Sequence, residues 1–430
     1  MALFGTSGIR RLVDRDLLEL SLKVGLAVGK RYPREIIGCD SRTSSEALKH
    51  EATAGVIASG ARAYDAGLVP TPTLALAGRR FDASLMITAS HNPPEYNGIK
   101  LLNPDGSAFS PEQQAELERK VEVLDTAGET AGWERYGGGE VYAGAVEEHI
   151  EHIRRFFPGK HPVKVVLDCA GAAGSVITPL LLERMDCEVI RLYCTPVGLF
   201  PHPVEPVAEN MKELMERVRE SGADLGIGQD GDADRMMAVD NHGRFISGDK
   251  MLRIMAKELG AHRVITTIDA SMALEDSGFT VSRTAVGDNS VSRALKEGGD
   301  FGGEPSGAWI FPRSSLCPDG VFAAALIASI ASRQSLADLA DALPEYPIYR
   351  GGIPDTGLDF RRLEERLITV FKPVFISRLD GLKFTLAEGW FLIRPSGTEP
   401  KIRLTIEATT TGYLNEIKSG LTGIIDGCRQ

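Results

Sequence analysis

The sequence predicts an α/β fold followed by a smaller α+β module. Short apolar runs typical of strands alternate with helical patterns over most of the 430 residues, and such alternation indicates largely parallel sheets with both faces covered. The alternation falls into three successive blocks of similar size, which suggests a repeated unit. The rhythm then changes after Pro344 and Pro347, where adjacent strands replace the alternation.

The strands and helices of the three blocks follow from their apolar patterns. Apolar runs predict strands at residues 35–39, 84–88, 163–168, 188–193, 224–228 and 264–268. Helical patterns lie between them, for example at residues 17–32, 175–184, 212–221 and 250–259. The longest apolar run, residues 321–331, covers about three helical turns and is too short to span a membrane, so it predicts a buried helix.

Breaks in this rhythm predict four domains. Glycines at 137–139 precede a polar helix, which places the first boundary near Tyr142. The predicted domains are residues 1–142, 143–240, 241–343 and 344–430. In the last domain a strand and a helix at 359–371 precede strands at 383–387, 391–394 and 402–408 and a final helix. We expect its neighbouring strands to be antiparallel.

Composition and charge narrow the class of protein. Hydrophobic residues make up 43% and charged residues 25% of the chain, as in an ordinary globular protein. The net charge is −11 and no basic stretch is comparable to a nucleic-acid footprint, which argues against nucleic acid as a partner. An acidic protein that binds an anionic substrate must gather its cationic groups locally, so the positions of the cations are informative.

The cysteines and the N-terminus suggest a cellular location. Six cysteines are scattered without a C-x-x-C pair, which is typical of reduced thiols in the cytoplasm. The first residues lack the basic and apolar regions of a signal peptide, and no apolar run has membrane-spanning length. We therefore expect a cytoplasmic protein with no membrane partner. The sequence leaves the oligomeric state open.

A loop of three alternating carboxylates is a candidate metal site. Asp230, Asp232 and Asp234 follow a predicted strand, with Gly231 and Ala233 between them. Oxygen ligands select a hard cation, and a site that leaves room for a phosphate oxygen suits Mg²⁺. A calcium EF-hand needs a glutamate where Asn241 stands, so that interpretation fails. A solvated acidic turn is the alternative.

Two further loops have polar groups suited to a sugar phosphate. In residues 302–307, Glu304 and Ser306 offer a carboxylate and a hydroxyl for two sugar hydroxyls, although glycine-rich turns of this kind are common. In residues 394–400, an arginine, two hydroxyls and a glycine could form a concave set of phosphate donors. These residues are Arg394, Ser396, Gly397 and Thr398. The alternative there is a polar hairpin turn.

Ser90 admits a hydrolase or a phosphate interpretation. A hydrolase serine would lie in a G-x-S-x-G turn, but the neighbours here are Ala89 and His91. A histidine adjacent in sequence cannot easily turn back onto the serine hydroxyl as a base. A phosphorylated Ser90 would instead carry about −1.5 to −2 charges and need cations nearby. A metal ion at the aspartate loop and Lys100 could supply them.

These loops together resemble the α-D-phosphohexomutase family. The matching motifs are TASHNP (88–93), DGDADR (230–235), GGEPSG (302–307) and RPSGTEP (394–400), in the family's order over essentially the whole chain. Shorter matches are FGTSGIR (4–10), GCDSR (38–42), NGIK (97–100), KVVLDCAGAAG (164–174) and VGD (286–288). The resemblance implies three similar α/β mixed-sheet domains and a C-terminal α+β domain around a central cleft.

The resemblance also implies a mechanism. Phosphorylated Ser90 would give its phosphoryl group to a hexose phosphate, forming a bisphosphosugar, and would then take back the other phosphate. Ser90 and the three aspartates would bind Mg²⁺, while Arg10, Lys100 and Arg235 would neutralise charge. Glu304 and Ser306 would hold sugar hydroxyls, and the Arg394 loop would bind the phosphate that is not reacting. A bisphosphosugar activator, glucosamine 1,6-bisphosphate or glucose 1,6-bisphosphate, is also implied.

Short motifs indicate the branch of the family. FGTSGIR and VGD look most like the archaeal-type phosphoglucosamine mutase branch, which implies conversion of glucosamine 6-phosphate to glucosamine 1-phosphate for UDP-N-acetylglucosamine synthesis. A phosphomannomutase or phosphoglucomutase, and a non-catalytic sugar-phosphate-binding relative, are the alternatives. Two positions depart from the family pattern: Ala308 stands where a histidine is usual, and Arg11 replaces a glycine. The first leaves the general acid and base undetermined.

Overall fold

The computed structural model describes residues 3–5, 8–124, 129–275, 278–354, 357–395 and 401–427. Its strands form four sheets, three of them mixed and the last antiparallel. This confirms the predicted fold class.

The first sheet has six strands in the order β1-β5-β4-β2-β3-β6. They are β1 (Ile9–Leu12), β2 (Arg34–Cys39), β3 (Arg62–Leu68), β4 (Ala83–Ile87), β5 (Tyr96–Leu102) and β6 (Gly139–Val141). Strand β5 is antiparallel to both of its neighbours, whereas β2, β3, β4 and β6 are parallel to one another. The helices are α1 (Arg15–Gly29), α2 (Ser45–Ala58), α3 (Thr71–Ala77) and α4 (Pro111–Val123).

The second sheet has four strands in the order β10-β9-β7-β8, and only β10 is antiparallel to its neighbour. They are β7 (Lys164–Asp168), β8 (Glu188–Leu192), β9 (Leu225–Gln229) and β10 (Met236–Val239). The helices of this part of the chain are α5 (Ala145–Arg154), α6 (Thr178–Arg184) and α7 (Lys212–Ser221).

The third sheet has the order β12-β11-β13-β14, and here β14 is the antiparallel strand. Its strands are β11 (Arg263–Thr267), β12 (Thr280–Thr284), β13 (Phe301–Gly303) and β14 (Trp309–Ile310). The accompanying helices are α8 (Gly248–Glu258), α9 (Asp288–Glu297), α10 (Gly320–Ala331) and α11 (Leu336–Asp341).

These three sheets share one topology. If the strands are counted along the chain from β2, β7 and β11, each sheet contains the order second-first-third-fourth, and the fourth strand is antiparallel. In open α/β sheets, ligands bind beyond the carboxyl ends of the strands, at the point where the strand order reverses. That point lies between the first and third strands, so the loop after each third strand is the expected place for functional residues.

The C-terminal sheet is antiparallel throughout, with the order β15-β19-β18-β17-β16. Its strands are β15 (Ile348–Pro354), β16 (Phe375–Ser377), β17 (Leu382–Leu386), β18 (Gly389–Pro395) and β19 (Lys401–Ala408). Helices α12 (Phe360–Phe371) and α13 (Thr411–Asp426) complete this unit. Leu363 and Leu367 of α12 pack with Phe384 and Ile406 of the sheet in a core of its own.

The second and third sheets share one large hydrophobic core, and the third sheet also contributes to a small separate cluster. The first sheet packs into two other clusters. Helix α10 lies in the shared core, and every residue from Gly320 to Ile330 is buried. This confirms the buried helix that the apolar run predicted. Asp319 caps the helix, because its side chain accepts hydrogen bonds from two backbone amides of the first turn. In the described part of the chain no helix combines the length and hydropathy needed to cross a bilayer.

Candidate active site

Ser90 lies directly after the third strand of the first sheet, in the loop that follows β4. It is buried and has a left-handed backbone conformation, with φ of 49°. Its Oγ donates a hydrogen bond to Asp230 Oδ2 over 2.7 Å. The predicted phosphoserine and the predicted metal loop are therefore in direct contact, although 140 residues separate them in sequence.

His91 lies closer to the Ser90 hydroxyl than their adjacency in sequence suggested, with 3.5 Å between its Nδ1 and Ser90 Oγ. The cation of Arg235, together with burial and the charges of Arg10 and Lys100, lowers the pKa of His91 to about 2. The ring is therefore neutral at physiological pH. The shorter contact of Ser90 is with Asp230, so the pair does not have the geometry of a serine–histidine hydrolase.

Arg42 lies in the GCDSR segment but was not predicted as a site residue. It holds the Ser90 loop. Its guanidinium donates to the carbonyl oxygens of four loop residues over 2.6–2.9 Å: Ser90, Asn92, Pro93 and Tyr96. Its Nε donates to Asp40 Oδ2, which also accepts from the Thr88 hydroxyl. The side chains of Arg42, Asp40, Thr88 and Ser90 are buried. Arg42 thus helps to hold the loop in a conformation that residues with a Cβ seldom adopt.

The three aspartates of the metal loop converge. The loop follows β9, the third strand of the second sheet, and one carboxylate oxygen of each aspartate lies within 4.8 Å of the other two. All three side chains are buried. Gly231 is required here because a Cβ at this position would lie 2.3 Å from the carbonyl oxygen of Ser90. Asp232 Oδ1 and Asp234 Oδ1 have no hydrogen-bond partner among the described residues.

Buried carboxylate oxygens without partners are costly, and a divalent cation would satisfy them. The donor set consists only of oxygens, as Mg²⁺ prefers. Burial, followed by the neighbouring charges of Asp234 and Asp232, raises the pKa of Asp230 well above its usual value. The loop thus carries more negative charge than its protein surroundings readily accommodate, which fits a cation site and not a solvated acidic turn.

Lys100 lies beside these carboxylates. Its Nζ donates to Asp232 Oδ2 and to Asp234 Oδ2, over 2.6 Å in each case. Burial alone would lower the pKa of Lys100, but the two carboxylates outweigh it and raise the pKa. Lys100 in turn outweighs the effect of burial on Asp232, whose pKa is lowered to about 2. The structure therefore places a permanent cation in the candidate site.

Arg10 and Arg235 add positive charge around the serine. Arg10 Nη1 donates to Asn92 Oδ1 over 3.0 Å, which places it on the Ser90 loop. Arg235 ends the metal loop, and its Nη1 lies 3.5 Å from Glu205 Oε1. Burial would lower the pKa of Arg235, but the carboxylates of Asp230, Asp234 and Glu304 raise it. Arg11, next to Arg10 on β1, is exposed.

Glu304 follows β13, the third strand of the third sheet. It is buried, and its Oε1 accepts a hydrogen bond from Gly287 N over 2.8 Å, which joins the predicted sugar loop to the VGD segment. Burial and then the charge of Asp288 raise the pKa of Glu304 to about 7.

Ser306 is exposed at the turn, and Ala308 is buried with its backbone bridged to that of Arg235. The carboxylates of Glu304 and of the metal loop both raise the pKa of Arg235, so this arginine interacts electrostatically with both loops.

The C-terminal unit reaches this site through Asp380. Its Oδ2 accepts from Val286 N over 3.0 Å and lies 3.9 Å from Arg394 Nη1. Arg394, at the end of β18, is thus brought next to the VGD segment. The predicted phosphate-binding residues Ser396, Gly397 and Thr398 lie outside the described residues.

Four models of one family match the chain. They are the phosphoglucomutase/phosphomannomutase α/β/α domain I at residues 1–127, domain II at 147–243, domain III at 247–346 and the C-terminal domain at 357–422. The chain belongs to the phosphoglucomutase/phosphomannomutase family. This confirms the resemblance that the motifs indicated.

Relatives in this family match over the full length. A protein of Methanocella arvoryzae named "Probable phosphoglucosamine mutase" is 45% identical, covering 100% of this chain and 99% of the relative. One of Methanococcoides burtonii with the same name is 44% identical over 95% of each chain. Among solved structures, a phosphoglucomutase/phosphomannomutase family protein of Burkholderia thailandensis superposes with a TM-score of 0.88 at 25% identity, covering 99% of this chain and 97% of that one.

Proposed function

We propose that this member of the family is a phosphohexomutase that interconverts glucosamine 6-phosphate and glucosamine 1-phosphate through a phosphoserine at Ser90. The observation that carries the proposal is the bond between Ser90 Oγ and Asp230 inside a buried triad of carboxylates. The names of the full-length relatives support the choice of sugar. The enzyme class is that of an isomerase acting by intramolecular phosphoryl transfer.

Ser90 is proposed as the phosphoryl carrier. The P–O bond to Ser90 Oγ breaks as a free hydroxyl of the hexose phosphate forms a new bond to phosphorus. That hydroxyl loses its proton, and Ser90 Oγ regains one. Asp230 Oδ2 lies 2.7 Å from Oγ and accepts its proton in a hydrogen bond, so it is placed to hold this proton at the dephosphorylated serine. The bisphosphosugar then turns, and its other phosphate returns to Ser90.

Asp230, Asp232, Asp234 and Ser90 are proposed to hold Mg²⁺. The two unpartnered buried oxygens of Asp232 and Asp234 support this assignment. Bound there, Mg²⁺ would neutralise charge on the transferring phosphoryl group. Lys100, Arg10 and Arg235 supply further positive charge, and electrostatic stabilisation with positioning is the main contribution a protein makes to phosphoryl transfer. Lys100 does so as a group that stays protonated.

Glu304 and Ser306 are proposed to bind sugar hydroxyls, and Arg394, Ser396, Gly397 and Thr398 to bind the phosphate that is not reacting. The contact of Asp380 with both Val286 and Arg394 supports a shared binding site for sugar and phosphate. A bisphosphosugar activator, glucosamine 1,6-bisphosphate or glucose 1,6-bisphosphate, would load the phosphoryl group onto Ser90. A cytoplasmic location belongs to the proposal, because hexose phosphates are made and used there.

We also propose that the four domains are residues 1–142, 143–240, 241–343 and 344–430. The four sheets lie one in each of these ranges, and the ranges of the four family models support the division.

Values of kcat/KM for glucosamine, glucose and mannose 6-phosphates, measured side by side, test the choice of sugar. We expect glucosamine 6-phosphate to be preferred. A tenfold preference for glucose or mannose phosphate, equal to about 1.4 kcal/mol of transition-state binding, would assign the protein to the phosphomannomutase/phosphoglucomutase type instead. Absence of turnover with all three, in protein that binds them, would favour a non-catalytic relative.

A further inference from the structure

A buried hydrogen-bonded network outside the candidate site connects three parts of the chain. Thr73 Oγ1 lies 2.9 Å from His149 Nδ1, and His149 Nε2 lies 3.0 Å from Asp319 Oδ2. Thr73 belongs to α3, His149 to α5 and Asp319 caps α10. A carboxylate only accepts hydrogen bonds, so Nε2 donates to Asp319, and in a neutral ring Nδ1 accepts from the Thr73 hydroxyl. All three side chains are buried.

The two helices that His149 joins both contact the metal loop at their N-terminal ends. At the start of α3, Thr71 N donates to the carbonyl oxygen of Asp232 over 3.0 Å, and the Thr71 hydroxyl donates to the Asp232 carboxylate. At the start of α10, Gly320 N donates to the carbonyl oxygen of Ala233 over 3.1 Å. The approach is close, because a Cβ on Gly320 would lie 2.7 Å from that oxygen.

The metal loop needs such external support. Ala233 lies between two of the aspartates with φ of 54°, a left-handed conformation that costs free energy for a residue with a Cβ. The loop is held by α3 at Asp232 and by α10 at Ala233. The spacing of these two helix ends therefore determines where the carboxylates point, and Thr73, His149 and Asp319 bridge that spacing.

We infer that Thr73, His149 and Asp319 are positioning residues that hold α3 and α10 at the separation the metal loop requires. They touch neither the carboxylates nor Ser90 in this structure and act through Thr71 and Gly320. The inference rests on the proposed function only in that the three aspartates bind a divalent cation. Groups that orient metal ligands from outside the first layer commonly change metal affinity by about 10- to 100-fold.

The test is the affinity of the full-length protein for Mn²⁺, measured by electron paramagnetic resonance without sugar. Thr73→Val removes the hydroxyl at nearly constant volume, and we expect it to weaken Mn²⁺ binding by about tenfold. Thr73→Ser keeps the hydroxyl and should restore the affinity. If Thr73→Val does not fold, His149→Gln serves as a second variant. Its amide can still donate to Asp319, but the ring that also contacts Thr73 is lost, so we again expect weaker Mn²⁺ binding.

A second histidine provides the matched control. His161 Nδ1 lies 3.4 Å from Ser332 Oγ at the C-terminal end of α10, away from the metal loop. Ser332→Ala should leave the Mn²⁺ affinity unchanged, although it too removes a histidine–hydroxyl contact. Equal affinity in Thr73→Val and wild type would overturn the inference, as would equal losses in Thr73→Val and Ser332→Ala. If the variants show the expected Mn²⁺ affinities but the wild-type protein converts no hexose phosphate, the inference stands and the proposed function is overturned.

Discussion

Ser90 adopts a backbone conformation that residues with a Cβ seldom take, and its cost is of order 1 kcal/mol or more. The surroundings impose this conformation. Thr88 Oγ1 accepts from Ser90 N over 2.9 Å, and Arg42 donates to the Ser90 carbonyl oxygen. Gly231 of the metal loop then lies directly against that carbonyl. The hydroxyl is thereby aimed at Asp230.

Replacement of Arg42 by lysine should impair catalysis while keeping the charge. A lysine ammonium cannot match the planar fork that donates to four carbonyl oxygens. We expect kcat to fall by about tenfold or more, because a small misplacement of the reacting group is costly. The melting temperature should fall too, because the carbonyl oxygen of the buried Ser90 loses a donor.

Arg62→Lys is the control for this change, since Arg62 is an exposed arginine on β3 of the first sheet. It should leave both kcat and the melting temperature close to those of the wild type. An Arg42→Lys variant with wild-type kcat would show that the loop keeps its conformation without the guanidinium.

The motifs predicted the residues of the candidate site but not the residues that hold them in place. Ser90, Lys100 and the three aspartates could be found because their chemistry is evident from residue type and spacing. Arg42 and Thr71 could not, because their roles depend on partners about 50 and 160 positions away. The GCDSR match at 38–42 contains Arg42, but the motif does not show which groups its guanidinium contacts.

Strand β2 contains a buried carboxylate that the mechanism does not use. Glu35 is fully buried in the first sheet, and neither of its oxygens has a hydrogen-bond partner among the residues that the structure describes. Burial, with a contribution from Asp82, raises the pKa of Glu35 well above its usual value. The folded protein therefore keeps a proton here that the unfolded chain releases above about pH 4.3.

Glu35→Gln should make stability less dependent on pH. Where only the folded state holds the proton, the free energy of unfolding falls by up to about 1.4 kcal/mol for each unit that the pH rises. Urea unfolding at successive pH values above about pH 5 should show this decline in the wild type and a flatter profile in the variant. Glu19→Gln, at an exposed carboxylate, should keep the wild-type slope. Equal slopes in wild type and Glu35→Gln would show that Glu35 is ionised in the folded protein.

Two elements predicted from buried apolar runs are close to their observed positions. Strand β9 and helix α10 fall close to their predicted positions because both are almost wholly apolar and buried. Strand β12 was not predicted, because its TVSRT sequence is polar and only half-buried. The helix predicted at 175–184 is interrupted: a short 3₁₀ turn at Ala173–Val176 precedes α6, which begins at Thr178 with a proline in its first turn.

For the whole molecule, the repeated topology explains why the functional loops recur. The Ser90, metal and Glu304 loops follow β4, β9 and β13, the third strands of three equivalent sheets. The alternation of strands and helices suggested a repeat but did not establish it. The way the units face one another was not, because it depends on long-range contacts such as that between Ser90 and Asp230.

The C-terminal unit packs against the third sheet through a mixed contact. Lys383 Nζ donates to the carbonyl oxygen of Ile268 over 2.7 Å, and Trp390 packs against the Ile268 side chain. Glu407 accepts from Met272 N over 2.7 Å. The contact at Arg394 and Asp380 lies at the candidate site. Because this separate unit carries Arg394 at the candidate site, we expect it to close over bound phosphosugar by a hinge motion.

Arg394→Ala should chiefly raise KM for the hexose phosphate and change kcat less, because the residue is proposed to bind the phosphate that does not react. Arg378→Ala is the control: this arginine of the same unit is exposed and pairs with Glu364, so its loss should leave KM unchanged. An unchanged KM in Arg394→Ala would argue against phosphate binding by this unit.

If the phosphoryl group passes through Ser90, a label carried by the protein must be transferred to the sugar. Protein phosphorylated with ³²P, with the label mapped to Ser90, is mixed with unlabelled glucosamine 6-phosphate and followed through a single turnover. We expect the label to leave Ser90 and to appear in a bisphosphosugar and then in product. Ser90→Ala should neither take up label nor turn over substrate. Label that stays on Ser90 while product forms, or a fully active alanine variant, would contradict it.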